Sequence, residues 1–285
     1  MTWRELNHNI CIVNQAGLRI VALFGSGAVG RPLPAMYNAA FAAAGLKWSY
    51  IPFRANADTL AELFGRLRDD NMVGAEFDPP CQEVAASLCD ELSPEAGRLR
   101  AVTTLRFRDG KAEGFNMDAL AFPAVLDELA CDVNGKAALV LGVGPRGRAA
   151  GLALEGLGAA VTFGAEDLSA ARPGVTTQAA VIRLADAPIY LKEKRPALVV
   201  NALGESAAVR FDVGDLPESV FVLDFNVCPG APLYDSARQR GLPAADGLPI
   251  LLHRGRRAFE LWTGIDAPGD VMLRAAKREV ENMGR

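Results

Sequence analysis

Apolar and polar positions along this chain alternate between two periods. Residues 19–25, RIVALFG, form a short apolar run bounded by glycine and read as a buried strand. Residues 34–45, PAMYNAAFAAAG, read as a helix that ends at Gly45, and residues 47–53, KWSYIPF, as a second strand. In TLAELFGRLRDD (59–70) the apolar residues Leu60, Leu63, Phe64 and Leu67 recur at i, i+3, i+4 and i+7, the stripe of an amphipathic helix. NMVGAEF (71–77) follows as a third strand. This β-α-β-α-β rhythm predicts a mostly parallel sheet with helices packed on it. The turn GSGAVGRP after the first strand spaces Gly25, Gly27 and Gly30 as G-x-G-x-x-G, but Pro32 and Pro34 delay the next helix, so it reads as a loop.

The second half repeats the pattern with more strands. ALVLG, the stretch Ala159 to Phe163, AVIRL (180–184), ALVVNA (197–202) and VFVLDF (220–225) are separated by helical or loop connections. Two amphipathic helices, roughly 249–261 and 268–282, close the chain. They are expected to return to the first domain and leave a cleft between the two. The fold class is α/β. An N-terminal α/β domain is expected over 1–118, a doubly wound parallel sheet over 119–242, and returning C-terminal helices over 243–285. A chain of 285 residues, 50% apolar, is large enough to fill two cores.

The most specific local signal is AALVLGVGPRGRAA (137–150). A strand runs into Gly142, Gly144 and Gly147 at G-x-G-x-x-G spacing, and a helix-forming stretch follows. Gly142 permits the tight turn, Gly144 lets the backbone approach a pyrophosphate, and Gly147 lets helix and strand pack closely. The anion would rest on the positive end of the helix that opens at Pro145. This is the fingerprint of a Rossmann-type dinucleotide site. Arg146, inside the turn, would reach a phosphate or stand in solvent. About 20 residues on, where the adenosine ribose would lie, stand Glu166 and Asp167. A carboxylate accepts from a ribose 2′-hydroxyl and repels a 2′-phosphate, so NAD is favoured over NADP. The alternative is that the two acids cap a helix near Leu168.

Composition narrows the partners. The net charge is −4, with no basic run, so the electrostatic footprint of nucleic-acid binding is missing. No apolar run approaches the ~20 residues needed to cross a bilayer, and MTWRELNHNICIVNQ lacks the apolar core of a signal peptide. Cys11, Cys81, Cys89, Cys131 and Cys228 show no C-x-x-C spacing, and with only His8 and His253 there is no zinc constellation. Cys81 and Cys228 read as small apolar fillers, and His253, among Leu251, Leu252 and Phe259, as a packed or capped residue. A reducing cytoplasm, and a monomer or homodimer, fit this composition.

The order AMYNAAF…GLKWSYIPF, GFNMDALAF, the glycine turn, VVNALG, and DGLPILLHRGRRAFELWTG resembles the shikimate dehydrogenase family over nearly the whole chain. The resemblance implies a first domain that binds a small hydroxy acid, a second that binds a nicotinamide coenzyme, and hydride transfer between coenzyme and substrate. By the same resemblance Asp118, in Asn116-Met117-Asp118, matches the family's catalytic aspartate, and Asn201 and Ala202 fall with the coenzyme residues.

Elsewhere the family's site is rewritten. Its Ser-x-Ser-Pro-Ala-Met segment, whose hydroxyls hold the substrate carboxylate, is here Arg31-Pro32-Leu33-Pro34-Ala35-Met36. Its Asn-x-Thr-x-Pro-x-Lys strand end is here Glu76-Phe77-Asp78-Pro79-Pro80-Cys81-Gln82, so Gln82 stands in place of the catalytic lysine. Thr103 replaces an asparagine, Arg254 a glutamine, and Glu166 stands where NADP-using members carry arginine.

Gln82 cannot titrate, and a positioned base is worth ~10²–10⁴-fold in rate. Asp118 is then the first candidate for the proton, with Asp78 and Glu76 close by; a cluster of carboxylates can keep one proton among them. Asp118 could equally cap a helix beginning at Ala119, and Glu76 and Asp78 could be solvated strand-end acids. Arg31 and Arg254 could grip a carboxylate bidentately, and the acids an amine or hydroxyls. The expected substrate is a small cyclic hydroxy- or amino-carboxylate other than shikimate. The rival reading is a catalytically silent protein that keeps the ligand sites.

Overall fold

The computed structural model describes residues 17–25, 32–65, 72–168, 179–204, 213–227 and 231–283. The chain divides into two compact units, residues 1–117 with 254–285, and residues 118–253. The division falls inside two helices rather than in loops, and the second crossing lies at His253–Arg254 instead of after Leu242.

In the first unit, β1 (Arg19–Gly25), β2 (Trp48–Arg54) and β3 (Met72–Phe77) form the parallel core that the apolar runs predict. Helices α1 (Pro32–Ala43) and α2 (Ala57–Phe64) connect them. Contrary to expectation, Pro32 and Pro34 do not delay α1, which begins at Pro32. The first turn of a helix makes no intrahelical use of its N–H groups, so a proline there removes no bond and pre-sets φ. Asn56 and Thr59 close a capping box at the start of α2. The last residues of the helix predicted over 59–70 lie outside the described residues.

The sheet is mostly parallel, as expected, with one strand reversed. After β3 come α3 (Pro79–Leu88), the two-residue β4 (Glu91–Leu92), α4 (Pro94–Leu99), and a hairpin of β5 (Thr104–Arg108) and β6 (Lys111–Phe115). The sheet order is β2-β1-β3-β5-β6-β4, and both the β3–β5 and β5–β6 pairs are antiparallel. The cause is the Asp109-Gly110 turn, whose φ values of 50° and 76° are those of a tight hairpin. Side chains alternate across the sheet. Ile20, Ala22, Phe24, Ala75 and Phe77 enter one apolar cluster, with Phe24 stacked between Phe53 and Phe77 at 5.5 and 6.0 Å. Glu76, one residue out of step, lies on the opposite face.

The second unit is a parallel six-stranded sheet. Its strands are β7 (Ala137–Leu141), β8 (Ala160–Ala165), β9 (Ala180–Arg183), β10 (Leu198–Asn201), β11 (Phe221–Asp224) and β12 (Ala244–Ala245), in the order β12-β11-β10-β7-β8-β9. Counted within the unit this is the doubly wound 3-2-1-4-5-6 order read from its other edge, with the topological switch between β7 and β10. Helices α5 (Met117–Glu128), α6 (Pro145–Gly156), α7 (Ala187–Lys194) and α8 (Pro232–Gln239) belong to it wholly or in part. Helix α9 (Leu248–Thr263) carries the chain back into the first unit, where α10 (Gly269–Met283) packs on α1. No described helix is long and apolar enough to cross a membrane.

Candidate functional site

The glycine turn between β7 and α6 has the conformation its spacing requires. Gly142 sits at φ 104°, where a side chain is strained, and its N–H donates to Gly164 O at 2.8 Å. A Cβ on Gly147 would lie 2.0 Å from Gly142 O, so only glycine lets α6 start this close to the strand. Gly144 is the N-cap; no side chain caps the helix there, and a Cβ on it would meet nothing within 4 Å. The backbone therefore faces open space at the positive end of a 12-residue helix. Pro145 occupies the first helical turn at no cost in hydrogen bonds. Arg148, 6% exposed, ties the turn by donating to Val143 O at 3.1 Å. This geometry fits a dinucleotide pyrophosphate.

The flanking strand ends differ. Glu166 and Asp167 follow β8 immediately and are exposed. On the other side of β7, Asn201 ends β10 and is buried. Its amide donates to Asp224 Oδ2 at 3.0 Å, and its oxygen accepts from Leu203 N–H at 3.2 Å. Ala202 N–H donates to Leu141 O, and Ala202 O would lie 3.1 Å from a Cβ on Gly142. Burial pushes the Asp224 carboxyl above the usual range, and hydrogen bonds from Asn201, Asn226 and Tyr234 pull against it.

In the first unit, polar residues gather at the end of β3. Glu76 has no exposure and is neither solvated nor open to an amine. Its Oε1 accepts from Tyr37 at 3.2 Å, Thr104 at 3.4 Å and Arg254 Nη2 at 3.3 Å, and its Oε2 accepts from Tyr50 at 2.6 Å. The expectation of Glu76 and Arg254 as separate substrate groups is corrected here: each is the other's partner. The alternation that puts Ala75 and Phe77 in the apolar cluster turns Glu76 toward α1 and α9, which carry Tyr37 and Arg254. Burial and the Glu76 charge push both tyrosines well above their ordinary values.

Asp78 is the N-cap residue of α3, 6% exposed, and its carboxylate lies where a Cβ on Gly25 would stand, 2.0 Å from Oδ2. It is not a solvated strand-end acid. Gln82 is 1% exposed and lies in the first turn of α3, not on a strand end. Its Nε2 donates to Phe77 O at 3.0 Å, while Oε1 is buried without a partner among the described residues. Cys81 is fully buried, and burial with the Asp78 charge raises its thiol to about 11, as befits a filler. Thr103, with no exposure, accepts from Met117 N–H at 2.7 Å and so fixes the start of α5. That helix opens at Met117, so Asp118, 1% exposed, lies within its first turn and is not its N-cap. Leu33 is 2% exposed and apolar.

Arg31, Gly27, Gly30, Cys11, Cys228 and His8 lie outside the described residues. His253 Nε2 meets Glu128 Oε2 at 2.6 Å, a surface pairing. No group of three or more His, Cys, Asp or Glu able to hold a metal occurs among the described residues. Sequence reading missed Tyr37 on α1, Tyr50 on β2 and Thr104 at the start of β5, all of them buried. It also missed Asp224 and Asn226, at the carboxyl end of a predicted strand where open α/β sheets bind ligands.

Comparison with known proteins agrees with this architecture. The family model described as "Shikimate dehydrogenase substrate binding domain" matches residues 32–105, and "Shikimate 5'-dehydrogenase C-terminal domain" matches residues 247–277. The chain is 34% identical to the shikimate dehydrogenase (NADP(+)) of Symbiobacterium thermophilum, covering 92% of this chain and 95% of that one. It is 32% identical to the same enzyme of Moorella thermoacetica, covering 92% and 94%. The crystal structure of shikimate 5-dehydrogenase from Thermus thermophilus in complex with NADP(H) and shikimate superposes with a TM-score of 0.80 at 29% identity, covering 92% of this chain and 99% of that one.

Proposed function

The chain belongs to the shikimate dehydrogenase family, and from that premise we propose that it is a nicotinamide-dependent dehydrogenase acting on the CH–OH group of a small cyclic hydroxy acid. The second unit holds the coenzyme at Gly142, Gly144, Pro145, Arg146 and Gly147, with Glu166 on the adenosine ribose and Asn201 and Ala202 shaping the floor. When bound, the coenzyme supplies the hydride acceptor or donor. The relatives named above are NADP(+) enzymes. Here the acid at position 166, exposed at the end of β8, favours a ribose hydroxyl over a 2′-phosphate, so NAD is the preferred form.

The observation that carries the finer reading is Gln82. An amide is not basic and cannot take a proton, and the Gln82 NH₂ is committed to Phe77 O, so we assign the substrate hydroxyl proton to Asp118. Leu33 offers no hydroxyl to a carboxylate, and Arg254 is held by Glu76. These changes favour a substrate other than shikimate, and Arg31, outside the described residues, is our candidate cation for its carboxylate. Asp78 and Thr103 act as framework. A partner other than small molecules is not needed for this reaction.

The experiment is a steady-state panel of cyclic hydroxy acids, shikimate included, with NAD⁺ and NADP⁺, repeated with Asp118→Asn. The reading predicts turnover of a non-shikimate acid and a loss of about 10²–10⁴-fold in kcat for Asp118→Asn. Coenzyme and ligand binding with no reduced nicotinamide formed for any acid would instead establish a silent binding protein, the reading that the missing lysine also favours.

A further inference from the structure

Asn226 stands two residues past the end of β11 and is 4% exposed. Its main-chain N–H donates to Asp224 Oδ1 at 2.9 Å, and its carbonyl accepts from Gly247 N–H at 3.0 Å. Its side chain also favours the charged form of the Asp224 carboxyl, as an amide NH₂ turned toward the acid does. A carboxylate attracts the NH₂ of a neighbouring amide and repels its oxygen, so Oδ1 faces away from Asp224. Oδ1 is buried and has no hydrogen-bond partner among the described residues. A buried acceptor left in this state is costly, and in native proteins it marks a missing partner.

The order of strands says which partner. Glu166 follows β8 on one side of β7, whose end forms the glycine turn; β10 and then β11 lie on the other side. A dinucleotide laid across these carboxyl ends, with pyrophosphate at the turn and adenosine at Glu166, directs its nicotinamide half toward β10 and β11. We infer that Asn226 is a positioning and specificity residue for the nicotinamide ring, its Oδ1 accepting a hydrogen bond from the NH₂ of the ring carboxamide. The inference rests on the coenzyme reading above. It adds that the chain recognises the carboxamide itself through a side chain oriented by a buried aspartate.

The test is calorimetric titration of the full chain and of Asn226→Ala with three probes: NAD⁺, its 3-acetylpyridine analogue, in which a methyl replaces the NH₂, and ADP-ribose, which lacks the ring. The full chain should prefer NAD⁺ over the analogue by about tenfold. Asn226→Ala should erase that preference while ADP-ribose affinity stays the same. A preference that survives in the variant overturns the inference, as does an equal loss for all three probes, which would mean a structural role through Asp224. Equal losses for NAD⁺ and the analogue, with ADP-ribose unchanged, would place the contact on the nicotinamide ribose and overturn the carboxamide assignment. If none of the probes binds the full chain, the coenzyme reading fails and this inference with it; if ADP-ribose binds and Asn226→Ala changes nothing, only this inference fails.

Discussion

The turn at Gly142–Gly147 and the floor around Glu76 are built in opposite ways. At the turn the decisive facts are steric and local. Gly142 needs a positive φ, Gly147 has no room for a Cβ, and Gly144 faces open space, all within six residues. Around Glu76 the decisive facts are electrostatic and distant, with partners 26, 28, 39 and 178 residues away in the chain. A function written in backbone shape survives wide drift in sequence. One written in side-chain pairs depends on each partner, as Glu76 depends on Arg254. The glycine turn of the second unit is thus held by backbone shape, whereas the first unit holds a buried ion pair between Glu76 and Arg254.

The comparison breaks most visibly at Glu76. Glu76→Gln leaves Arg254 buried beside a neutral group, and loss of one partner of a buried pair costs about 3–5 kcal/mol. Chemical denaturation should show that loss, with little change in coenzyme affinity. Wild-type stability would mean that the pair is not a structural element.

At the turn, Gly147→Ala drives a methyl group to 2.0 Å from Gly142 O. Overpacking of this kind costs about 1–3 kcal/mol, and because the displaced backbone is the anion site we propose, coenzyme affinity should fall by up to about 100-fold. Substrate-analogue binding to the first unit should be unaffected. A smaller effect is expected from Glu166→Arg, which should reverse the NAD preference by about tenfold, since a guanidinium pairs with a 2′-phosphate and a carboxylate repels it. Competitive titration with the two coenzymes checks this, and unchanged or weaker NADP⁺ binding would remove Glu166 from the ribose.

The smallest effect concerns pH. Tyr37 and Tyr50 hold their protons in the folded chain well above the ordinary tyrosine value of about 10. Above that value the unfolded chain binds fewer protons than the folded one, so the contribution is full below pH ~10 and is lost as pH rises further. Each tyrosine adds a slope of at most about 1.4 kcal/mol per pH unit. Tyr50→Phe should shallow the alkaline limb seen by circular dichroism, and an unchanged limb would exclude Tyr50 as a source.

The legibility of the two regions follows the same division. Strands β1, β3, β7, β10 and β11 were readable because buried parallel strands are continuous apolar runs between glycine or polar punctuation. The antiparallel hairpin was missed although Asp109-Gly110 is its plain signal. Arg106 and Arg108 dilute the alternation that would mark it, and Arg106 is paired with Glu113 across the strands. The site residues were named from spacing and resemblance, but their partners were not. Nothing in the neighbourhood of Arg254 points to Glu76, and burial of Asp78 against Gly25 becomes visible only when the ends of β1 and β3 are set side by side.

The measurement that reaches the central claim most directly is calorimetric titration of the 285-residue chain with NAD⁺ and NADP⁺, each alone. One coenzyme should bind per chain, NAD⁺ more tightly than NADP⁺. The absence of saturable binding by either coenzyme would contradict the account.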